Sequence, residues 1–251
     1  MSRSSKPDET SFDKTRWLEA IKSPDWYVEF IKTAKSIEKN RDPEIVDKFR
    51  RDSRHFFESQ LEQGNIALGK NGPNLDAQRE PIDTIVIHHT SHKPGYRLSY
   101  LNATHMLVIY APYFMNPTVQ GEENLKNKPL WSGHFKDGKQ VFWGYHWLMR
   151  MDGKFEKLLE DEQLGWHAGN WQINRRSVAI CLDNDYENQD PTDDVLKKLA
   201  GFIKEKYPEI KNVIGHREAR GGTTCPGVNF LTIWKLKLVK YLEENDHSQK
   251  S

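Results

Sequence analysis

Short β-branched runs alternate with amphipathic helical patterns from residue 81 onward, and this alternation constrains the fold most. Four apolar runs are interpreted as strands: 82–88, 141–151, Ser177–Leu182 and Asn212–Gly215. A helix is predicted after Thr192, which suits an N-cap and is followed by two aspartates. A second amphipathic pattern at 231–242 predicts a closing helix. Strands mixed with helices in this way predict an α/β domain.

The first 80 residues have a different, helical pattern. Apolar spacing over 15–39 predicts two short amphipathic helices separated at Pro24, because the residue before a proline disfavours the helical conformation. A longer helical stretch follows Pro43, with apolar residues three and four positions apart. Residues 64–81 are rich in Gly, Asn and Pro, which is typical of a linker.

These patterns divide the chain into three parts. We predict a helical N-terminal extension with its linker over 1–80, an α/β catalytic domain over 81–245 and a polar tail over 246–251. Within the domain, the sequence pattern of 97–140 is the hardest to assign to helices or strands. A connection of this length usually has structure or a function of its own.

Composition argues against several classes of protein. Lys and Arg number 37 against 36 Asp and Glu, so the basic surplus expected of a nucleic-acid-binding protein is absent. No stretch approaches the ~20 apolar residues of a membrane span. Residues 1–13 lack the apolar run of a signal peptide. Two cysteines, Cys181 and Cys225, are too few for a disulfide-built scaffold.

Histidines and a cysteine follow the apolar runs at positions suited to metal binding. His88 and His89 end the first run, His216 follows the last, and Cys225 lies in a glycine-rich loop shortly after it. Imidazole and thiolate are preferred zinc ligands, and a catalytic zinc site uses three protein ligands. Strand ends lie close enough to converge, because neighbouring strands are ~4.8 Å apart. The alternatives are loop histidines and a small buried cysteine, since no HExxH or CxxC spacing is present.

Six motifs occur in a characteristic order: VIHHTS at 86–91, GYHW at 144–147 followed by MDG at 151–153, WHAG at 166–169, NRRSVAI at 174–180, GHR at 215–217 and TCPG at 224–227. Together they resemble the type 2 N-acetylmuramoyl-L-alanine amidases, which include phage lysozyme-type amidases and peptidoglycan recognition proteins. The resemblance covers 82 to about 230. It implies a mixed central β-sheet flanked by α-helices, one zinc ion per chain, and hydrolysis of the amide between N-acetylmuramic acid and L-alanine.

The resemblance also implies which residues carry the chemistry. His88, His216 and Cys225 match the zinc ligands; strand periodicity alone does not choose between His88 and its neighbour, because successive side chains point to opposite faces. Tyr145 matches a catalytic tyrosine that stabilises the oxyanion together with zinc. Thr223 stands where relatives carry a Thr or Lys that assists catalysis.

Three further residues are predicted to bind substrate. His167 matches a position lining the cleft, Trp166 is suited to stacking on a sugar ring, and Arg176 is suited to pairing with a stem-peptide carboxylate. The structural alternatives are a packed aromatic for Trp166 and a salt bridge for Arg176. His146 and His167 are candidate proton donors to the leaving amine, beside the zinc-bound water.

Cys181 distinguishes two branches of the family. It stands at a position where, as the resemblance implies, a cytosolic recycling branch of the family carries a glutamate. A cysteine cannot replace that carboxylate, so the resemblance favours the arrangement that uses a catalytic tyrosine. Cys181 itself is expected to be an inert buried thiol.

We expect a zinc amidase acting on peptidoglycan or muropeptides, with a non-catalytic peptidoglycan-binding module as the alternative. The presence of both Cys225 and Tyr145 favours catalysis. We expect a monomer without a nucleic-acid partner or membrane span. The chain is expected to be cytoplasmic or to reach the cell wall by a non-classical or phage-type route.

Overall fold

The computed structural model describes residues 12–39, 42–119, 121–210 and 212–244, so the predicted polar tail lies outside the described residues. The described strands are β1 (Thr84–His89), β2 (His134–Lys136), β3 (Lys139–Val141), β4 (Trp147–Met149), β5 (Phe155–Lys157), β6 (Ser177–Leu182) and β7 (Asn212–Gly215). The described helices are α1 (Lys14–Ala20), α2 (Trp26–Glu38), α3 (Pro43–Gln63), α4 (Leu98–His105), α5 (Ala111–Met115), α6 (Trp171–Arg176), α7 (Asp193–Lys206), α8 (His216–Ala219) and α9 (Lys235–Glu243). π-helical segments at Met106–Tyr110 and Phe230–Trp234 precede α5 and α9. None of the described helices combines the length and apolar character needed to cross a bilayer.

The described residues form two compact units. One comprises the described residues up to Asn74 together with Arg97–Phe142, and the other comprises Leu75–Tyr96 together with the described residues from Trp143 onward. The segment that was least readable in sequence therefore groups with the N-terminal helices. The domain boundary at residue 80 stays a prediction.

The first unit is built around helices whose ends match their sequence signals. Helix α1 ends at Ala20 and α2 begins at Trp26, which confirms the predicted break at Pro24. The Asp42 carboxylate caps α3 by accepting a hydrogen bond from the Glu44 N–H at 3.0 Å. Buried aromatic side chains hold these helices together: Phe12, Trp17, Trp26, Phe30, Phe49 and Phe57. The remainder of this unit contains α4, α5 and the β2–β3 hairpin.

The second unit contains a five-stranded mixed sheet in the order β5-β4-β6-β1-β7. Strand β1 is parallel to β6 and β7, β4 is parallel to β6, and β5 is antiparallel to β4. This sheet and its flanking helices confirm the predicted fold class. Parallel strands end at the same edge, so residues that follow β1, β6 and β7 are brought together there.

The hydrophobic core of this unit lies on one face of the sheet. Ile85 and Ile87 of β1 belong to the same buried cluster as Leu196 and Leu199 of α7 and Leu238 of α9. Side chains alternate between faces along a strand. His88 therefore points to the face opposite this core, although β1 is buried on both faces.

The prediction of one strand over 141–151 is wrong. β3 ends at Val141 and pairs with β2, whereas β4 begins at Trp147 and pairs with β5 and β6. The intervening backbone has to leave one sheet before it joins the other, and Gly144 lies at the middle of this step. Trp143 and Tyr145 consequently lie between the two strands, so the alternation of side chains along a strand does not apply to them.

Candidate active site

Three potential metal ligands converge at the carboxyl edge of the mixed sheet. His88 lies near the end of β1, His216 begins α8 directly after β7, and Cys225 lies in the following loop. One ligand atom from each residue lies within 4.8 Å of the other two. The Cys225 sulfur is 3.8 Å from the Nδ1 of His88, and the His88 and His216 ring centroids are 4.7 Å apart.

The local backbone explains how residues so distant in sequence meet. A Cβ at Gly215 would lie 2.6 Å from the Phe230 ring and 2.7 Å from Pro226, so glycine allows both residues to pack against the backbone that precedes His216. The N–H of Arg217 donates to the carbonyl of Cys225 at 2.8 Å, which ties the cysteine loop back to α8. The backbone N–H of His89 also hydrogen-bonds the Cys225 thiol.

These three residues fit a zinc ion in chemistry and in spacing. Nitrogen and sulfur ligands around a tetrahedral zinc lie about 3.3–3.6 Å apart, close to the observed His88–Cys225 separation. The Nε2 of His216 is buried and has no hydrogen-bond partner among the described residues. A buried ring nitrogen is rarely left unsatisfied, and coordination would satisfy it.

Burial sets the protonation states of the ligand side chains. Loss of solvation, followed by the nearby Arg220 charge, lowers the pKa of His216 to about 4, so its imidazole is neutral near pH 7. Burial raises the pKa of Cys225 to about 12. The histidine is therefore already in the form that a metal binds, whereas the thiol releases a proton when a cation binds.

His89, the neighbour of His88, has a different environment. Its Nδ1 accepts a hydrogen bond from the Tyr186 N–H at 3.0 Å, and it lies 3.9 Å from an Asp185 carboxylate oxygen. The structure therefore groups His88, and not His89, with His216 and Cys225.

Tyr145 lies beside the three potential ligands. Its partly buried ring is 4.8 Å from the His88 ring, and its phenol hydrogen-bonds the Cys181 thiol. Burial, and then the neighbouring thiols, raise the pKa of Tyr145 well above its ordinary value. The phenol therefore keeps its proton, which it shares with the Cys181 thiol.

Cys181 lies opposite His88 in the register of the parallel strands and is a fully buried, free thiol. Burial raises its pKa well above the ordinary value. Its predicted inertness is in keeping with this environment but stays a prediction.

Three other predicted residues have partners within the protein. The Thr223 hydroxyl accepts a hydrogen bond from the Cys225 N–H at 3.1 Å, and the Trp166 ring lies 5.4 Å from the Trp171 ring. Arg176 forms an ion pair with Asp83 at 2.6 Å. The catalytic role of Thr223 and the substrate-binding roles of Trp166 and Arg176 stay predictions.

His167 is buried and contacts His88. Its Nδ1 is 3.1 Å from the His88 Nε2, and its Nε2 is 3.2 Å from the Ser177 hydroxyl. Burial, with smaller contributions from His146, His216 and Arg79, lowers the pKa of His167 well below its ordinary value. A substrate contact for His167 stays a prediction.

Two site residues were not singled out from sequence. Ser177 was interpreted only as the start of a strand, although it contacts His167. The Asn174 side chain accepts hydrogen bonds from the N–H groups of His167 and Ala168, at 3.3 and 2.8 Å. Both residues belong to the NRRSVAI motif, and that motif was the available signal.

His146 is fully buried with both ring nitrogens engaged by backbone groups. Its Nδ1 accepts a hydrogen bond from Ala179 N–H at 3.1 Å, and its Nε2 lies 3.0 Å from the Gln163 carbonyl. A nitrogen beside a carbonyl carries the proton, so the Nε2–H tautomer is defined.

Arg79 anchors the backbone behind the site. Its guanidinium donates to the carbonyls of Asn174, Ser177 and Asp161 at 2.8, 2.9 and 2.6 Å. Replacing Arg79 with methionine is expected to lower the free energy of unfolding by about 3 kcal/mol, because carbonyl partners lose a charged donor. Urea unfolding followed by circular dichroism measures this loss.

The matched control is Lys237→Met. Lys237 pairs with Asp193 at the surface, where solvent screens the charges, so loss of this pair should change the free energy of unfolding little. Equal, small losses in the two variants would show that Arg79 does not hold the site backbone together.

The sequence matches a known protein family over more than half of its length. Residues 78–228 match the family described as N-acetylmuramoyl-L-alanine amidase. The chain belongs to this family, which confirms the resemblance found in the motifs. Family membership supports hydrolysis of the peptidoglycan amide, or recognition of peptidoglycan, as the class of function.

The chain is also similar to solved structures. The endolysine N-acetylmuramoyl-L-alanine amidase LysCS from Clostridium intestinale URNW is 20% identical with a TM-score of 0.42, over 65% of this chain and 84% of that chain. The Ph2119 endolysin from the Thermus scotoductus MAT2119 bacteriophage Ph2119 is 20% identical with a TM-score of 0.42, over 66% and 87%. Drosophila peptidoglycan recognition protein SD is 20% identical with a TM-score of 0.37, over 59% and 76%. Comparison with curated proteins gives no significant match.

Proposed function

We propose that this protein is a zinc-dependent amidase that hydrolyses the bond between N-acetylmuramic acid and L-alanine in peptidoglycan or muropeptides. The observation that carries the proposal is the convergence of His88, His216 and Cys225 within 4.8 Å, with Tyr145 beside them. A module that only recognises peptidoglycan would not need a three-ligand metal set together with a hydrogen-bond donor.

His88, His216 and Cys225 would hold the metal. When bound, zinc would lower the pKa of a water molecule and polarise the scissile carbonyl. Two neutral imidazoles and one thiolate leave such a site with a net positive charge. The neutral state of His216 and the partial burial of the cluster both favour this arrangement.

Tyr145 would donate a hydrogen bond to the oxyanion that forms when the amide carbonyl is attacked. The phenol is protonated and close to His88, so it would need no change of charge, only a rotation of its hydroxyl away from the Cys181 thiol, before it donates. Donors placed where negative charge develops stabilise the transition state more than the ground state. Thr223 would support this geometry by accepting the Cys225 N–H and so fixing the loop that carries the thiolate.

Digestion of purified sacculi tests the proposed activity and the metal requirement together. We expect mass spectrometry to show stem peptides with a free L-alanine amino group and glycan with a free lactyl carboxylate. Treatment with a chelator should reduce product release to the background of a no-protein control, and added zinc should restore it. Chelation is the matched comparison because the chain is unchanged.

Three outcomes would contradict the proposal. New reducing ends without amide cleavage would indicate a glycosidase. Amide cleavage that persists after the metal has been removed would exclude zinc dependence. Binding to sacculi without any product would support the alternative, a recognition module.

A further inference from the structure

A hydrogen-bonded row of side chains leads from the end of α6 to His88. The Ser177 hydroxyl is 2.6 Å from the Ile173 carbonyl oxygen, and its oxygen is 3.2 Å from the Nε2 of His167. The Nδ1 of His167 is 3.1 Å from the Nε2 of His88. Ser177, His167 and His88 are all buried, so these groups interact with one another in a low-dielectric environment.

The carbonyl at one end defines the direction of every hydrogen bond in this row. A carbonyl can only accept, so the Ser177 hydroxyl proton is directed to Ile173. The Ser177 oxygen must then accept, which places a proton on the Nε2 of His167. A histidine buried between a hydroxyl and another imidazole is neutral and has one N–H, so the His167 Nδ1 accepts from the Nε2–H of His88.

The same reasoning defines which nitrogen of His88 is available to a metal. With a proton on Nε2, the lone pair is on Nδ1. This nitrogen lies 3.8 Å from the Cys225 sulfur, on the ligand side of the ring. A metal requires an unprotonated ring nitrogen, so a proton on Nδ1 would oppose binding.

We propose that Ser177 and His167 are positioning residues that fix His88 in its Nε2–H tautomer and direct the Nδ1 lone pair at the metal. This inference rests on the proposed zinc-dependent function. It gives His167 a role through His88 and not through contact with substrate. Partners of this kind commonly change metal affinity by about 10–100-fold.

The end of the row at Ser177 is held in place by the surrounding fold. Asn170 caps the start of α6, which ends at Arg176, and Ser177 begins β6. Arg79 donates to the carbonyl of Ser177, and Asn174 fixes the backbone of His167. The acceptor end of the row is therefore positioned independently of the metal.

Zinc affinity of the full-length protein, measured by competition with a chelating dye, provides the first test. We expect His167→Phe to bind zinc about 10–100-fold more weakly, because its ring fills the space without accepting a hydrogen bond. His167→Asn should recover most of this loss, since its amide oxygen takes approximately the place of Nδ1. Ser177→Ala should produce a smaller loss in the same direction.

Two variants outside the site provide matched controls. His105 and Ser53 are buried in the first compact unit, so His105→Phe and Ser53→Ala make the same chemical changes away from the metal ligands. Both should bind zinc as the wild type does. Circular dichroism confirms that each variant is folded before its affinity is measured.

Long-range ¹H–¹⁵N NMR of the metal-free protein reports the tautomer of His88, which would not change if His167 had only a structural role. We expect His88 to be protonated at Nε2 in the wild type and to show a mixture of tautomers in His167→Phe. A proton on the His88 Nδ1 of the wild type would overturn the proposal. Unchanged zinc affinity in a folded His167→Phe would also overturn it.

The result is distinguishable from failure of the proposed function. A wild type that cleaves sacculi, with unchanged zinc affinity in His167→Phe, removes the positioning role alone. If the zinc affinity depends on this row but the wild type cleaves no amide, the proposed amidase activity is wrong and the positioning role is still supported.

Discussion

Replacement of Cys225 with alanine is expected to abolish bound zinc and peptidoglycan cleavage together. The thiolate is the only anionic member of the three-ligand group, and its loss leaves two neutral imidazoles at the site. Two ligands do not form the three-residue set of a catalytic zinc site. Metal analysis of the purified protein and sacculus digestion measure the two effects, and His88→Ala and His216→Ala should behave in the same way.

Cys181→Ala is the matched control for this change. It removes the other thiol, which is buried in the same unit but is not a member of the ligand group. This variant should keep one zinc ion per chain. Full zinc content in Cys225→Ala would show that the metal is bound elsewhere and would remove the basis of the proposed chemistry.

Removal of the Tyr145 hydroxyl is expected to leave zinc bound while turnover falls about 10²-fold, as for the loss of an oxyanion donor. The ring of phenylalanine preserves the packing against His88, so the change removes only the hydroxyl and its hydrogen bonds, the one to the Cys181 thiol included. Steady-state cleavage of a soluble muramyl-peptide should show the loss in kcat and little change in KM. That pattern is expected for an interaction made in the transition state.

Tyr241→Phe provides the control for this experiment. Tyr241 lies on α9 and does not belong to the site, so its loss of a hydroxyl should leave turnover unchanged. If Tyr145→Phe retained wild-type kcat, Tyr145 would have no part in catalysis and the oxyanion donor would have to be another group.

The elements that sequence predicted well are those with strong local signals. β6 has the predicted bounds, Ser177–Leu182, because a nearly continuous apolar run suits a strand buried on both faces. Helix α7 begins after Thr192, whose hydroxyl accepts from Val195 N–H, as its capping pattern indicates. These signals act over a few residues and do not depend on the rest of the chain.

Other features depend on contacts between distant residues and have no local signal. The 142–146 segment was expected to continue a strand, but its flanking strands pair with different partners. Arg176 is adjacent in sequence to other motif residues, yet its ion pair is with Asp83, more than 90 positions away. The grouping of His88 with His167 likewise joins residues that no periodicity relates.

The choice of ligands illustrates the same limit. Strand alternation left His88 and His89 equivalent, and the resemblance to a family was needed to prefer His88. In the structure the two residues differ by what surrounds each side of β1: His216 and Cys225 on one side, the Tyr186 N–H on the other. Those surroundings come from segments far along the chain, so a single strand cannot reveal them.

The Ile173 carbonyl, which ends the row that contains Ser177, has a consequence for proton transfer. A peptide oxygen carries no exchangeable hydrogen, so the buried row has no exit through Ile173 and immobilises its protons. His146 is likewise enclosed between main-chain groups. In the proposed reaction, the departing nitrogen would therefore receive its proton from a group outside this row; Tyr145 and Thr223 are both only partly buried.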